Sequence, residues 1–262
     1  MADAAVPALA AALAEARHEH APFVWLPEPR MGDLDFAYAV QDALVALWRK
    51  AGEGEVAGWK IGFTTASMQG LAGMSEPAAG ALLSSRLRQS GARLDRADLA
   101  HLGLEGEIAV RVALPFPETE PVSPDQALAR LDMAAPAFEV TDDRHADWAR
   151  IEGAALIADN IWNWGAVIGP PTPIAALATL SGRAGVVTVN GEIRDRGMSE
   201  DIGCDPAAIV AWLGAHLARR GQPLQPGQWI LTGSFVPTTF PALGDHYRFE
   251  VEGLGAVEVG VE

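Results

Sequence analysis

Gly103-Leu104-Glu105-Gly106-Glu107-Ile108-Ala109-Val110-Arg111-Val112 reads as a β-strand that carries two carboxylates on one side. Alternate residues of a strand share a face, so Glu105, Glu107 and Ala109 point one way while Ile108, Val110 and Val112 point the other. Side-chain origins two residues apart lie roughly 6.5–7 Å from each other, close enough for both carboxylates to bend onto one divalent ion. Without a cation they repel. The competing reading is a solvated acidic edge, since carboxylates are mostly exposed.

Further along, Ala137-Phe138-Glu139-Val140 sets a third carboxylate on a strand whose alternate residues, Phe138 and Val140, read as core-facing. Glu105, Glu107 and Glu139 together form an oxygen-only set of the kind Mg²⁺ or Mn²⁺ prefers. Zinc fits less well, because His101 is the only nitrogen ligand near the pair in sequence and precedes the strand. Lys60, in Gly58-Trp59-Lys60-Ile61-Gly62-Phe63, is one of only two lysines, the other being Lys50. Beside a carboxylate cluster it reads as a cation for an enolate or carboxylate, or as a proton donor if burial lowers its pKa. Its alternative is a solubility residue on an edge strand.

Around these strands the organisation is α+β. Residues 5–17 read as a helix with Leu9, Leu13 and Ala16 on one face, and a proline-rich break follows. Asp33 caps a second helix in which Ala37, Val40, Leu44, Leu47 and Trp48 recur at helical spacing up to Gly52. After Gly58, short apolar runs with glycines and prolines replace that periodicity, which divides the chain into a helical part, 1–57, and a core, 58–262. Residues 64–85 read as an irregular segment with a short helix. Ser123-Pro124-Asp125-Gln126 is a capping box with proline at the first helical position, which predicts a helix over 124–133, and 137–141 returns to strand. Asn190-Gly191 predicts a type I′ hairpin, Asp205-Pro206 starts a helix that Gly221 ends, and the tail alternates as strands. Many short strands of this kind curl into a closed or roll-like sheet rather than a βαβ series.

A net charge of −15 disfavours nucleic acid and acidic membranes as partners. An anionic small substrate would need a local cation, from a metal or a basic side chain. The single cysteine, Cys204, suits a reducing compartment and reads as a packing residue. The alanine-rich start has Asp3 where a signal peptide has basic residues, and no apolar run reaches the roughly 18 residues needed to span a bilayer. The expected location is cytoplasmic. His145, after Asp142-Asp143-Arg144, belongs to a polar, solvent-exposed loop on this reading, and Trp162 and Trp164 read as core aromatics that could line a pocket.

The segments Gly58-Trp59-Lys60-Ile61-Gly62, Glu105-Gly106-Glu107-Ile108-Ala109, Phe138-Glu139-Val140-Thr141-Asp142-Asp143-Arg144, Ala158-Asp159-Asn160, Val189-Asn190-Gly191-Glu192 and Gly244-Asp245 to Gly253-Leu254-Gly255 occur in this order. Together they resemble the 2-keto-4-pentenoate hydratase and 4-oxalocrotonate decarboxylase branch of the fumarylacetoacetate hydrolase superfamily, over nearly the whole chain. The resemblance implies a mixed β-roll core with an N-terminal helical part and a homo-oligomer. It also implies Mg²⁺ or Mn²⁺ held by Glu105, Glu107 and Glu139, with Lys60 at the active site. The implied substrates are 2-hydroxy-dienoic and 2-oxo-enoic acids from aromatic ring cleavage, and the leading activity is hydration. A 4-oxalocrotonate-type decarboxylase, a C–C hydrolase of an acylpyruvate, and a non-catalytic partner of a sister hydratase or decarboxylase are the alternatives.

Two departures from the branch stand out. Glu76-Pro77-Ala78-Ala79-Gly80 replaces a Gln-Pro-Asp-Phe-Gly-like segment, so Ala78 cannot supply that segment's carboxylate, and Trp162 stands where such enzymes carry a serine. Thr232-Gly233-Ser234-Phe235 resembles the segment of members that act on longer dioates, which makes Thr232 and Ser234 candidate donors to a substrate carboxylate.

Overall fold

The computed structural model describes residues 4–23, 25–26, 30 and 32–262. Part of the proline-rich break between the first two helices, and Asp3 in the alanine-rich start, lie outside the described residues. In chain order the elements are α1 (Ala5–His18), α2 (Leu34–Lys50), β1 (Val56–Gly62), α3 (Ala66–Leu71), β2 (Ala78–Leu83), β3 (Leu87–Gln89), β4 (Ala92–Leu94) and β5 (Leu102–Val112). There follow α4 (Pro124–Leu128), β6 (Leu131–Asp142), α5 (Gly153–Ala158), β7 (Asn163–Ile168), β8 (Thr172–Pro173), β9 (Ala184–Val189) and β10 (Glu192–Met198). The chain closes with α6 (Pro206–Arg219), β11 (Trp229–Ser234), β12 (His246–Val251) and β13 (Gly255–Val261).

The strands form two mixed sheets, ordered β2-β1-β11-β5-β6-β7-β3, with β8 also on β6, and β10-β9-β12-β13-β4. The β1·β11, β3·β7 and β13·β4 pairs are parallel and the others antiparallel. With helices at the N-terminus, this is the α+β arrangement expected from the sequence. One apolar core runs from Leu13 and Leu44 of the helices through Ile108, Phe138 and Val257 of the strands.

Asp33 caps α2 by accepting from Phe36 N, and the buried stripe of the helix is interrupted by one polar residue, Gln41. Its amide donates to the carbonyls of Ala79 and Ile157, each at 2.9 Å, which docks α2 on β2 and α5 without leaving a buried amide donor unpaired. Asn190 and Gly191 both have positive φ, 53° and 87°, as a type I′ turn between β9 and β10 requires.

Two expectations are corrected. Residues 78–83, expected to be irregular, form the strand β2; a run of small residues has little strand propensity of its own, and the ladder to β1 supplies the order. The capping box at Ser123 and Gln126 is present, yet α4 stops at Leu128 rather than 133. Leu131 and Met133 are already paired with Val112 and Arg111 of β5, so the long β5·β6 ladder takes over where the helix was expected to continue.

Register fixes what shares a face. Glu105 pairs with Glu139, Glu107 with Ala137 and Ala109 with Ala135; Ala109 also pairs with Leu231 of β11, which pairs with Lys60 of β1. Lys60 and the three glutamates therefore lie on one face of the first sheet, which they share with a small apolar cluster that includes Ala109, Ala135, Ala137, Ala166 and Leu231. Among the described residues, no helix is long and apolar enough to cross a membrane.

Candidate metal centre

β5 is flanked by β11 and β6, and β1 by β2 and β11, so neither the glutamates nor Lys60 sit on an edge strand. One carboxylate oxygen each from Glu105, Glu107 and Glu139 lies within 4.8 Å of the others. Glu107 and Glu139 are fully buried; Glu105 is partly buried and lines a cavity of ≈ 290 Å³ together with Lys60, Ser234 and Thr238. A wider groove of ≈ 750 Å³ between the first two helices and Arg86 contains none of the three glutamates.

Each carboxylate is gripped by a protein donor through one oxygen. Gly233 N donates to Glu107 Oε2 at 2.7 Å, Asn163 Nδ2 to Glu139 Oε1 at 2.9 Å, and Thr238 Oγ1 to Glu105 Oε1. Lys60 Nζ lies 3.2 Å from the same Glu139 Oε1. Of the remaining oxygens, Glu107 Oε1 and Glu139 Oε2 are buried with no hydrogen-bond partner. An unsatisfied buried charged acceptor costs on the order of 1–3 kcal/mol or more, and a convergent set of hard oxygens is what a divalent cation such as Mg²⁺ takes as ligands. The residues present thus fit a hard metal ion.

Burial pushes the Glu107 carboxyl well above the usual range, and Glu139 and Glu105 add to the rise. Glu139 is raised by burial, with Lys60 pulling it back and Glu105 opposing that pull. For Lys60, burial works to lower the pKa, but Glu139, Glu105 and Glu107 outweigh it and hold the ammonium above its ordinary value. In these surroundings Lys60 stands as a cation beside Glu139.

The structure treats the other candidates differently. Ser234 lines the cavity, with its Oγ 2.7 Å from Val236 O and 3.1 Å from Gly106 O. Thr232 is buried and donates its hydroxyl to Ile108 O at 2.9 Å, away from the lining. Ala78 is in β2, and Glu76 accepts from Trp212 Nε1 instead of reaching the cluster. His145 is exposed and stacks on His101 at 4.2 Å between ring centroids. The loop before it is not the polar surface expected: Asp142, Asp143 and Arg144 are buried, because Arg144 pairs with Asp159 and the two aspartates accept from His101 and neighbouring groups.

Sequence reasoning missed Asn163, Thr238 and the Gly233 amide. Asn163 follows three residues with left-handed backbone, Asn160, Ile161 and Trp162, at φ 55°, 51° and 56°, so no periodic pattern could aim it at Glu139. That turn is pinned by the Asn160 side chain, which accepts from Ala81 N at 2.7 Å and donates to Ala81 O at 3.0 Å. Just before it, Asp159 is clamped by Arg17 and Arg144, each at 2.8 Å.

Comparison with known proteins agrees with this architecture. The 2-hydroxyhexa-2,4-dienoate hydratase of Comamonas testosteroni is 32% identical over 225 residues, covering 85% of this chain and 84% of that protein. The 2-keto-4-pentenoate hydratase of Burkholderia vietnamiensis is 30% identical over 226 residues, 86% and 85% of the two chains. Among solved structures, the 4-oxalocrotonate decarboxylase of Pseudomonas putida G7, complexed with magnesium and adipate, superposes with a TM-score of 0.89 at 24% identity, covering 98% of this chain and 97% of that one. A family model, the fumarylacetoacetate (FAA) hydrolase C-terminal domain, matches residues 74–262. That span holds all three glutamates and every strand after β1, and the chain belongs to the fumarylacetoacetate hydrolase family.

Proposed function

We propose that this protein is a metal-dependent lyase of the hydratase type that adds water to a 2-hydroxy-dienoate or 2-oxo-enoate in the breakdown of aromatic ring-cleavage products. The observation that carries this reading is the pair of unpartnered buried oxygens on Glu107 and Glu139, beside Glu105 and the fixed charge of Lys60. The hydratases to which the chain is similar supply the reaction class.

Glu105, Glu107 and Glu139 would hold the cation, Mg²⁺ or Mn²⁺ on the chemistry of an all-oxygen set. Bound there, it supplies Lewis-acid polarisation of a substrate carboxylate and 2-oxygen. The protein's own groups do the rest. Asn163, Gly233 and Thr238 fix the carboxylates so that none has to reorganise as charge develops. Ketonising the dienol moves its hydroxyl proton to the terminal carbon and gives a neutral, conjugated 2-oxo-enoate. As water adds at C4, negative charge develops on the 2-oxygen, beside which Lys60 would place a desolvated positive charge until a proton arrives at C3. Ser234, on the cavity wall, is the candidate donor to the substrate carboxylate, in exchange for its hydrogen bond to Val236 O; Thr232 supports the wall through Ile108. The same reading carries a helical part over 1–57 on a catalytic core over 58–262, homo-oligomeric assembly and a cytoplasmic location.

The test is Mn²⁺ binding by calorimetry, together with the loss of diene absorbance on 2-hydroxypenta-2,4-dienoate, in wild type and Glu105→Gln. Metal binding and turnover both falling in the variant supports the reading. Unchanged turnover refutes it, and CO₂ release from 4-oxalocrotonate without hydration of the diene assigns the decarboxylase alternative.

A further inference from the structure

The turn that delivers Asn163 to Glu139 is held from the far end of the chain. Arg17 sits in the last turn of α1, and its side chain is only 8% exposed. Its guanidinium donates from Nε to Asp159 Oδ1 at 2.8 Å, from Nη2 to Asp159 O at 2.6 Å and from Nη1 to Asn163 O at 3.1 Å. One planar group therefore brackets both ends of the left-handed run Asn160, Ile161 and Trp162. Backbone of that kind persists only where its surroundings over-determine it.

The other holds on the turn stop short of Asn163. Asn160 ties its own side chain to β2, and Arg144 reaches the second oxygen of Asp159 at 2.8 Å. Nor does the sheet ladder fix Asn163 by itself: it is the first residue of β7, and the β6·β7 register shifts between Val140 and its partner Thr141. Arg17 grips the Asn163 carbonyl while Nδ2 of the same residue donates to Glu139 Oε1 at 2.9 Å. A short side chain with two torsions passes a backbone displacement directly to its amide. The guanidinium is in turn presented by a helix with packing of its own, since Ala10, Leu13 and Ala16 are buried and Arg17 lies 5.3 Å from the ring centroid of Trp48 on α2.

We propose that Arg17 is a positioning residue of the metal centre. On this view α1, from which no described residue lines the cavity, holds Asn163 on Glu139 and so keeps Glu139 Oε2 available to the cation. The proposal rests on the metal-binding part of the hydratase reading.

The test is Mn²⁺ binding by calorimetry on the full chain as wild type, Arg17→Ala, Asn163→Ala and the double variant, each checked for folding by circular dichroism. Removing Arg17 leaves Asp159 paired with Arg144, so the buried carboxylate keeps a counter-charge. Arg17→Ala is expected to weaken Mn²⁺ binding about tenfold, as losing a group that orients a ligand does. Because Arg17 acts through Asn163, the double variant should match Asn163→Ala alone within about twofold. An unaltered affinity in Arg17→Ala, or two losses that multiply in the double variant, overturns the proposal and leaves the metal reading standing. Should Arg17→Ala not fold, Arg17→Lys decides, because an ammonium keeps the charge without the fork that spans the turn. Binding weakened about threefold or more in that folded variant supports positioning, and affinity equal to wild type overturns it. If the Arg17→Ala loss is found but wild type hydrates no dienoate, the positioning role holds and the hydratase reading fails. If wild type takes up no Mn²⁺, both fail.

Discussion

Asn163 donates its side-chain amide to Glu139 Oε1 at 2.9 Å, the same oxygen that Lys60 faces, so the other oxygen of Glu139 is left for a ligand from outside the chain. A residue in this position orients a metal ligand without touching the metal. Asn163→Ala should therefore weaken Mn²⁺ binding by about 10–100-fold. At saturating metal, turnover should recover most of its value. Calorimetry and activity at two metal concentrations check both.

Lys60 is expected to behave in the opposite way. Lys60→Met keeps the length of the side chain and removes a positive charge that competes for Glu139. Mn²⁺ affinity should stay level or rise, while kcat at saturating metal falls by about 10²-fold or more, the scale for losing one preorganised electrostatic contact. An unchanged kcat would make Lys60 a structural counter-ion only.

Asp159 carries the turn that delivers Asn163. It is fully buried between Arg17 and Arg144, and the Arg144 contact is a close ion pair at 2.8 Å rather than an aligned hydrogen bond. Asp159→Asn leaves two guanidinium groups without their counter-charge, one of them completely buried. The expected loss is about 3–5 kcal/mol, read as a lower urea midpoint at unchanged slope.

His216, on α6, supplies a pH dependence away from the site. It stacks on Trp212 and meets Tyr38, and its Nε2 is buried without a partner. Burial, then Arg220 and Arg219, push its pKa down to about 3. Between its ordinary value near 6.5 and that depressed value, the unfolded chain binds the proton and the folded one does not, so stability falls as pH falls, by up to about 1.4 kcal/mol per pH unit. His216→Phe should abolish this contribution. The difference in urea midpoint between wild type and variant should be flat above about pH 7 and grow in the variant's favour towards about pH 5.5.

The local grammar of the sequence determined a good deal. Apolar spacing and the Asp33 cap specify α2, Asn-Gly specifies the β9–β10 turn, and strand alternation puts Glu105 and Glu107 on one side of β5, because each depends on residues a few positions apart. What crosses the chain was decided only by the tertiary structure. The β5·β6 register sets Glu139 opposite Glu105, and the same ladder cuts α4 short. The loop read as polar became a buried Arg144–Asp159 pair because two distant segments exclude water from it together. Asn163 reaches Glu139 through three left-handed residues that are tolerable only while β2, Arg17 and Arg144 hold them. Periodicity says which face a side chain takes; register, burial and strain borne by long-range contacts decide which atoms of that face meet.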